Sequence, residues 1–180
     1  TFQFIEGSEL AAFRQWKSSG AGDEDNLWRV HDQVICSLDS VKPIENRRGW
    51  SLEQLNTYNR ERFEDLISAS WDLVIIDESH NLRNREGKRY RAIQEYIQAN
   101  ESMCILLSAT PYNKTYLDLS NQLRLFIPPD KNIGIRPEAL LRQLGETEFI
   151  RLHQAATRSL AAFEHSEYPD DWRDLMRLYM

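Results

Sequence analysis

Two short runs in this chain carry residue types suited to phosphate and metal chemistry. The first is Asp77-Glu78-Ser79-His80, which follows the apolar run Trp71-Asp-Leu-Val-Ile-Ile76 directly. Two carboxylates at the end of an apolar strand are costly unless a cation or hydrogen-bond donors satisfy them. A nucleotide-bound Mg²⁺ needs such a pair: one carboxylate holds the metal through its water shell, and the other orients an attacking water. The ordinary alternative is a solvated strand end that caps a following helix, because Asp and Ser cap well. The second run is Ser108-Ala-Thr-Pro111, directly after Met103-Cys-Ile-Leu-Leu107. Its two hydroxyls can hydrogen-bond a neighbouring loop, and the proline ends the strand. Taken alone it also has the composition of a common ST-turn.

The elements that must position these runs follow from pattern. Residues 71–76 and 103–107 are short, β-branched or apolar, and predict parallel strands buried on both faces. Phe2–Ile5 and Gln33–Ser37 predict two more strands. Ser8 is expected to cap a helix running to Trp16. Residues 17–26 are small and acidic and predict a loop, as do residues 41–50. Ser51-Leu-Glu-Gln54 has the form of a capping box and starts a helix carrying Leu55, Tyr58, Phe63, Leu66 and Ile67. Residues 88–99 and 115–126 predict helices, the latter with Thr115 and Asp118 in capping-box positions. Pro128-Pro129 ends it, and Pro137 suits the first turn of the next. Residues 147–165 predict one helix with a stripe of Phe149, Leu152, Ala156, Leu160 and Phe163, and residues 169–180 a last short one. Strand–helix alternation up to residue 126 argues for an α/β fold with one mostly parallel sheet and crossover helices. In such a sheet ligands bind beyond the carboxyl ends of the strands. The strands around 33–37, 71–76 and 103–107 are expected to lie in that one sheet, with Asp77 and Ser108 at the same edge.

Composition narrows the class. The 180 residues include 41% hydrophobic and 28% charged residues, a globular balance that excludes collagen-like sequence and wholesale disorder. The formal charge of −6 does not suggest a strongly basic nucleic-acid module, but Arg outnumbers Lys 17 to 5, so local cationic forks remain available. Cys36 and Cys104 cannot build a disulfide framework and read as buried thiols in a reducing, intracellular setting, cytoplasmic, nucleoid-associated or nuclear. No run approaches the ~20 apolar residues of a membrane span. His31, His153 and His165 lack the spacing of metal ligands. Trp28, Trp50 and Trp172 flank loops and read as packing residues more than as base-stacking platforms.

Taken jointly, the strand–DESH and strand–SATP runs, joined through one helix, resemble motifs II and III of superfamily 2 helicases. Asp77-Glu78-Ser79-His80-Asn81-Leu82-Arg83-Asn84 resembles the extended motif II of the Snf2 family of DNA translocases. Leu106-Leu107-Ser108-Ala109-Thr110-Pro111 is similar to that family's motif III. The following helix, with Leu119 and Leu123 and ending in Phe126-Ile127-Pro128, fits the same pattern, and Val34-Ile35-Cys36-Ser37-Leu38-Asp39 is weakly similar to motif Ib. The resemblance spans about residues 30 to 128. Ser79 stands where the family more usually has Ala or Gly. No phosphate-binding G-x-x-x-x-G-K-[ST] run is present: Gly87-Lys88 leads into Arg89, and Gly20-Ala-Gly22 is followed by Asp23.

The resemblance implies a partial RecA-like, P-loop-NTPase-type parallel sheet over 1–128, with an all-helical extension over 129–180 leading towards a second lobe. The remainder of the polypeptide, with the phosphate loop and that lobe, would complete an ATP-dependent DNA helicase or translocase, and a chain starting at Thr1 fits a piece of something longer. By the same resemblance Asp77 would hold Mg²⁺ through water and Glu78 would position and deprotonate the attacking water. His80 would link the nucleotide end to motif III, and Ser108 and Thr110 would couple ATP state to DNA contact. Ser37 would touch a DNA phosphate or simply cap a helix. Arg83 and Arg85, with Lys88, Arg89 and Arg91, would meet a phosphate backbone or the other lobe, or form a solvated helix start. Alternative readings are a superfamily 2 motor subunit of a restriction or defence system, an RNA remodeller, a degenerate lobe kept as a binding scaffold, and a carboxylate-metal nuclease. The last needs further ligands near Asp77 that the sequence does not offer.

Overall fold

The computed structural model describes residues 3–18, 26–29, 31–113 and 115–180. The expected acidic loop, with Gly20 and Gly22, lies mostly outside them. Packing divides the chain into two compact units, residues 1–74 with 86–104 and residues 75–85 with 105–180.

In the first unit β1 (Gln3–Ile5) pairs in parallel with β2 (Val34–Cys36), Phe4 opposite Ile35. Between them runs α1 (Gly7–Ser18). Its first turn closes on Glu6, whose carbonyl accepts from Leu10 and whose N–H donates to the Glu9 carboxylate at 3.0 Å, so Ser8 sits inside the helix instead of capping it. Ser37 caps the short α2 (Leu38–Val41), its hydroxyl accepting from Asp39 N–H at 3.1 Å. The Ser51–Gln54 capping box forms as read, at 3.2 and 2.9 Å, and opens α3 (Leu52–Ser68). Asn59 and Arg62 on α3 then hold the preceding loop. Asn59 bonds both main-chain groups of Ile44, and Arg62 donates to the carbonyls of Ser40 and Lys42. Helix α4 (Lys88–Asn100) buries Tyr90, Ala92, Ile93, Tyr96 and Ile97. The Tyr96 hydroxyl donates to Ala69 O at 2.6 Å and accepts from Trp71 N–H, and the Trp71 ring meets Trp28 edge-on.

Strands β3 (Leu73–Ile76) and β4 (Met103–Leu106) form a second two-stranded sheet. Met103 N–H donates to Asp72 O and Leu107 N–H to Ile76 O, an equal advance along both strands, so the pair is parallel. The single sheet expected from the sequence is therefore two separate pairs among the described residues, β1 with β2 and β3 with β4. The expectation of strands buried on both faces also fails. Leu73, Ile75, Met103, Ile105 and Leu107 alternate with covered neighbours, and Ile75 and Met103 are 57% and 66% exposed. Apolar composition gives no information about which face a neighbour will cover. Burial pushes the Cys36 thiol up to about 11 and the Cys104 thiol to about 12, so both stay protonated and unreactive, and no disulfide forms.

The second unit is helical beyond β4. Helix α5 (Leu117–Leu123) is shorter than its pattern. Asp118 accepts from Asn113 N–H instead of closing a capping box with Thr115, and the chain after Leu123 tightens into single turns up to Ile127. Pro137 precedes α6 (Glu138–Leu144), and α7 (Glu146–His153) follows. The long helix expected over 147–165 is broken: Gln154 takes φ 49°, and α8 (Leu160–Phe163) begins anew. Main-chain bonds of Arg158 and Ala161 with Ile133 and Pro129 account for the break, because they capture groups that a continuous helix would use internally. Phe149, Leu160 and Phe163 are buried as expected, whereas Leu152 is exposed. Helix α9 (Pro169–Tyr179) completes the core, where Trp172 stacks on Tyr116 and packs with Leu119, Leu123, Ile127 and Leu175. Buried Asp171 accepts from the N–H groups of Ala139 and Leu140 at the start of α6 and from the Ser166 hydroxyl. Among the described residues no helix is long and apolar enough to cross a membrane.

Glu164 joins α5 to this core. It accepts from Ser120 and, in a bidentate pair, from Arg124, with Arg85 3.7 Å away. Burial raises its carboxyl, but the bonds from Arg124 and Ser120 and the two guanidinium charges outweigh burial and hold it below the ordinary value. A depressed carboxylate stabilises the fold above its unfolded value, about 4.3, and that contribution disappears as pH falls through the lowered folded value. Glu164→Gln is therefore expected to lower the urea midpoint at pH 7, and the gap to the unsubstituted protein to narrow steadily below about pH 4. A gap independent of pH in urea titrations would show that the ion pair contributes nothing.

Candidate functional site

The site is built where β3 and β4 end, within the second unit. The ladder runs one step past the strands: Leu107 N–H donates to Ile76 O, and Ser79 N–H donates back to Leu107 O, each at 2.9 Å. Pulling Ser79 inward turns the backbone sharply, and Glu78 takes the left-handed conformation, φ 51° and ψ 44°. That conformation costs a non-glycine residue about 1–3 kcal/mol unless its surroundings impose it. A 3₁₀ turn over Ser79–Leu82 follows, with Asn81 donating main-chain and side-chain N–H to Glu78 O. Asp77 and Glu78 are left exposed, and Ser79 is buried. Asp77 Oδ1 accepts from Glu78 N–H at 2.8 Å. His80 Nδ1 lies 3.0 Å from Glu78 Oε2, without the alignment of a hydrogen bond.

Ser108 and Thr110 leave the neighbouring strand at the same end. The Ser108 hydroxyl accepts from Thr110 N–H at 3.1 Å, an ST-turn in form. Arg83 reaches across and donates through Nη2 to the Thr110 carbonyl and to its hydroxyl. Asn121 on α5 donates to Arg83 O at 2.8 Å. The next residue, Gln122, accepts from the Ser79 hydroxyl at 2.9 Å and donates to the carbonyls of Pro111 and Asp118.

The acidic pair and the hydroxyl pair are thus brought together as the sequence led us to expect. The link between their loops is made by Arg83 and Gln122, while the near partner of His80 is Glu78. Sequence reasoning missed Gln122 and Asn121. The available signal was polar residues between Leu119 and Leu123, core positions of α5, combined with a hydroxyl at Ser79. The basic cluster is also engaged: Arg85 lies by Glu164, Lys88 by Glu45, Arg89 pairs with Asp39, and Arg91 with Glu86. Ser37 acts as a helix cap. No group of three or more acidic, His or Cys side chains among the described residues is placed to grip a metal directly. Two exposed carboxylates on adjacent residues, one already oriented by Glu78 N–H, fit a hydrated Mg²⁺ better than a fully protein-ligated ion.

One parallel strand pair thus delivers the acidic loop and the hydroxyl loop to the same edge. A family model described as the SNF2-related domain matches residues 12–133, and the chain belongs to that family. The chain is 31% identical over 109 residues to the RNA polymerase-associated protein RapA of Proteus mirabilis, a match covering 59% of this chain and 10% of that protein. It is 33% identical over 108 residues to the RapA of Yersinia enterocolitica, again 59% and 10%. It is 29% identical over 102 residues to the uncharacterized ATP-dependent helicase YqhH of Bacillus subtilis, covering 57% and 15%. The chain thus spans only 10% to 15% of the length of these relatives. No solved structure matches it.

If Arg83 anchors the hydroxyl loop, Arg83→Ala should accelerate amide exchange at residues 108–110 about tenfold, the factor for one lost charged hydrogen bond. Exchange at Leu107 and Ser79, whose N–H groups are held by the ladder, should not change. Unaltered exchange at Thr110 would show that the loop is held by other means.

Proposed function

We propose that this chain is part of the motor of an ATP-dependent helicase or translocase that couples ATP hydrolysis to movement on DNA. Residues 1–128 would be the later part of its first RecA-like lobe, and 129–180 a helical extension towards the second. Membership of the SNF2-related family supports the class. The emergence of Asp77-Glu78 and Ser108-Thr110 from one end of a parallel strand pair supports the site most directly. Intracellular action on nucleic acid, with the rest of the polypeptide as the essential partner, follows from the same reading.

The roles divide by geometry. Asp77, exposed and oriented by Glu78 N–H, would hold the water shell of Mg²⁺ bound to ATP. That ion would neutralise charge on the phosphates. Glu78, lifted clear of the strand by its left-handed backbone, would orient the attacking water and accept its proton. His80 would link the nucleotide end to the loop of Ser108 and Thr110, and its near neighbour here is Glu78 at 3.0 Å. Ser108 and Thr110, tied to Arg83, would carry the state of the site to DNA. Ser37, Arg83 and Arg85 are the candidate nucleic-acid contacts. Arg85, whose side chain is 44% exposed 3.7 Å from Glu164, would be open to a phosphate from the solvent side.

In the intact polypeptide Glu78→Gln should abolish DNA-stimulated hydrolysis while ATP binding persists, because Gln keeps size and a hydrogen bond but accepts no proton. Asp77→Asn should weaken Mg²⁺-dependent binding as well. Parallel binding and turnover assays check this, and equal loss of binding in both variants removes the division of labour. An unsubstituted polypeptide that binds ATP without hydrolysing it would be a scaffold and not a motor.

A polypeptide of these 180 residues alone should turn over ATP at background rate. It contains no G-x-x-x-x-G-K-[ST] run and no arginine from a second lobe, a residue worth ~10³–10⁵ in rate in related phosphoryl transfer. DNA-stimulated turnover that co-purifies with the polypeptide through successive columns would overturn this.

A further inference from the structure

We propose that Gln122 is a positioning residue that locks the acidic loop to the hydroxyl loop, so that displacement of one is transmitted to the other. This rests on the ATPase reading above and extends it to a residue outside both motifs. Gln122 is 2% exposed and lies on α5 beside Leu123, a core residue. A buried side-chain amide is costly unless its polar atoms are bonded. Here both are. Oε1 accepts from the Ser79 hydroxyl at 2.9 Å, and Nε2 donates to Pro111 O and, at 3.1 Å, to Asp118 O. The amide has one possible orientation, because the two carbonyls can only accept and the nitrogen must face them.

The partners sit next to the residues that matter. Ser79, 1% exposed, lies between Glu78 and His80, and Pro111 follows Thr110. Ser79 is held twice, by its N–H on Leu107 O and by its hydroxyl on Gln122. The preceding helix residue, Asn121, holds Arg83 O, and Arg83 in turn holds Thr110. Adjacent residues of α5 therefore grip both loops. If the hydroxyl loop shifts with the state of the site, the Pro111 carbonyl leaves Gln122, and the amide can no longer keep all its bonds in the same geometry. Leaving a buried polar group unmatched favours two discrete arrangements over a gradual one. Gln122 touches no reacting atom, so its effect should fall on coupling and not on ATP affinity.

The test uses the intact polypeptide with Gln122→Met, Ser79→Ala and the double variant. Met preserves length and volume but makes none of these hydrogen bonds. Gln122→Met should lower DNA-stimulated kcat about tenfold, the effect of one or two buried hydrogen bonds, with KM for ATP within about twofold. The double variant should recover the thermal midpoint, because no buried hydroxyl is then left unmatched, but not kcat, because Pro111 stays untethered. Recovery of both would make the contact purely structural and overturn the proposal, as would full stimulated kcat in Gln122→Met. If Gln122→Met does not fold, Ser79→Ala alone should lower stimulated kcat about threefold, and no change there overturns the proposal. An unsubstituted polypeptide whose turnover DNA does not stimulate overturns the ATPase reading, and this proposal with it.

Discussion

Two main-chain hydrogen bonds, Leu107 N–H to Ile76 O and Ser79 N–H to Leu107 O, decide where every chemically useful group in the site can be. They set the register of a parallel pair, and a slip of one residue would exchange the two faces of the sheet. In the observed register Ile76 and Ser79 are buried, and Asp77 and Glu78 are left exposed. The left-handed backbone of Glu78 follows from the same pull. A non-glycine residue holds that conformation only where flanking bonds over-determine it. Here the peptide unit after Glu78 is held at both its polar groups, the Ser79 N–H by Leu107 O and the Glu78 carbonyl by the two Asn81 donors, while Glu78 N–H on the other side donates to Asp77 Oδ1.

Helix α5 is the second fixed point of this unit. It is only Leu117–Leu123, too short to be stable by propensity, so tertiary contacts must hold it. Leu119 and Leu123 anchor it among Leu160, Phe163, Trp172 and Leu175. Ser120 and Arg124 bind Glu164, while Asn121 and Gln122 face the loops. One turn of helix thus joins the helical core to the strand ends. Side chains at successive positions of a helix point about 100° apart, so a single turn can serve a core, an ion pair and two loops at once.

The basic residues show how composition can mislead about function. Arg83, Arg85, Lys88, Arg89 and Arg91 look like one cationic patch in the sequence, but each lies against a protein partner. Arg83 acts within the site, where one guanidinium nitrogen donates to both the carbonyl and the hydroxyl of Thr110. Arg85 helps balance the half-buried Glu164 carboxylate. The remaining three pair with acidic residues at the surface, where such pairs are weak and open to competition.

Much of this was legible in the residues alone. Parallel strands ending in Asp77 and Ser108, the Ser51–Gln54 box, α4 and the Pro169 start of α9 all follow from local rules: apolar runs, cap chemistry and proline geometry act within a few residues of chain. The choice of sheet partner did not, because β1 pairs with β2 through groups any strand presents. Nor did the break at Gln154, where carbonyls and N–H groups of residues 129–133 and 158–161 find each other across a long sequence separation. The exposed faces of β3 and β4 were hidden for the same reason: an apolar residue records what it would bury against, not whether anything is there. The sequence by itself determined the chemistry at the strand ends, since only those side chains can supply paired carboxylates and hydroxyls. Tertiary structure alone decided that Arg83 and Gln122 would bind the two loops together, because a hydrogen bond between residues 43 positions apart depends on distance in space and leaves no periodicity in the chain.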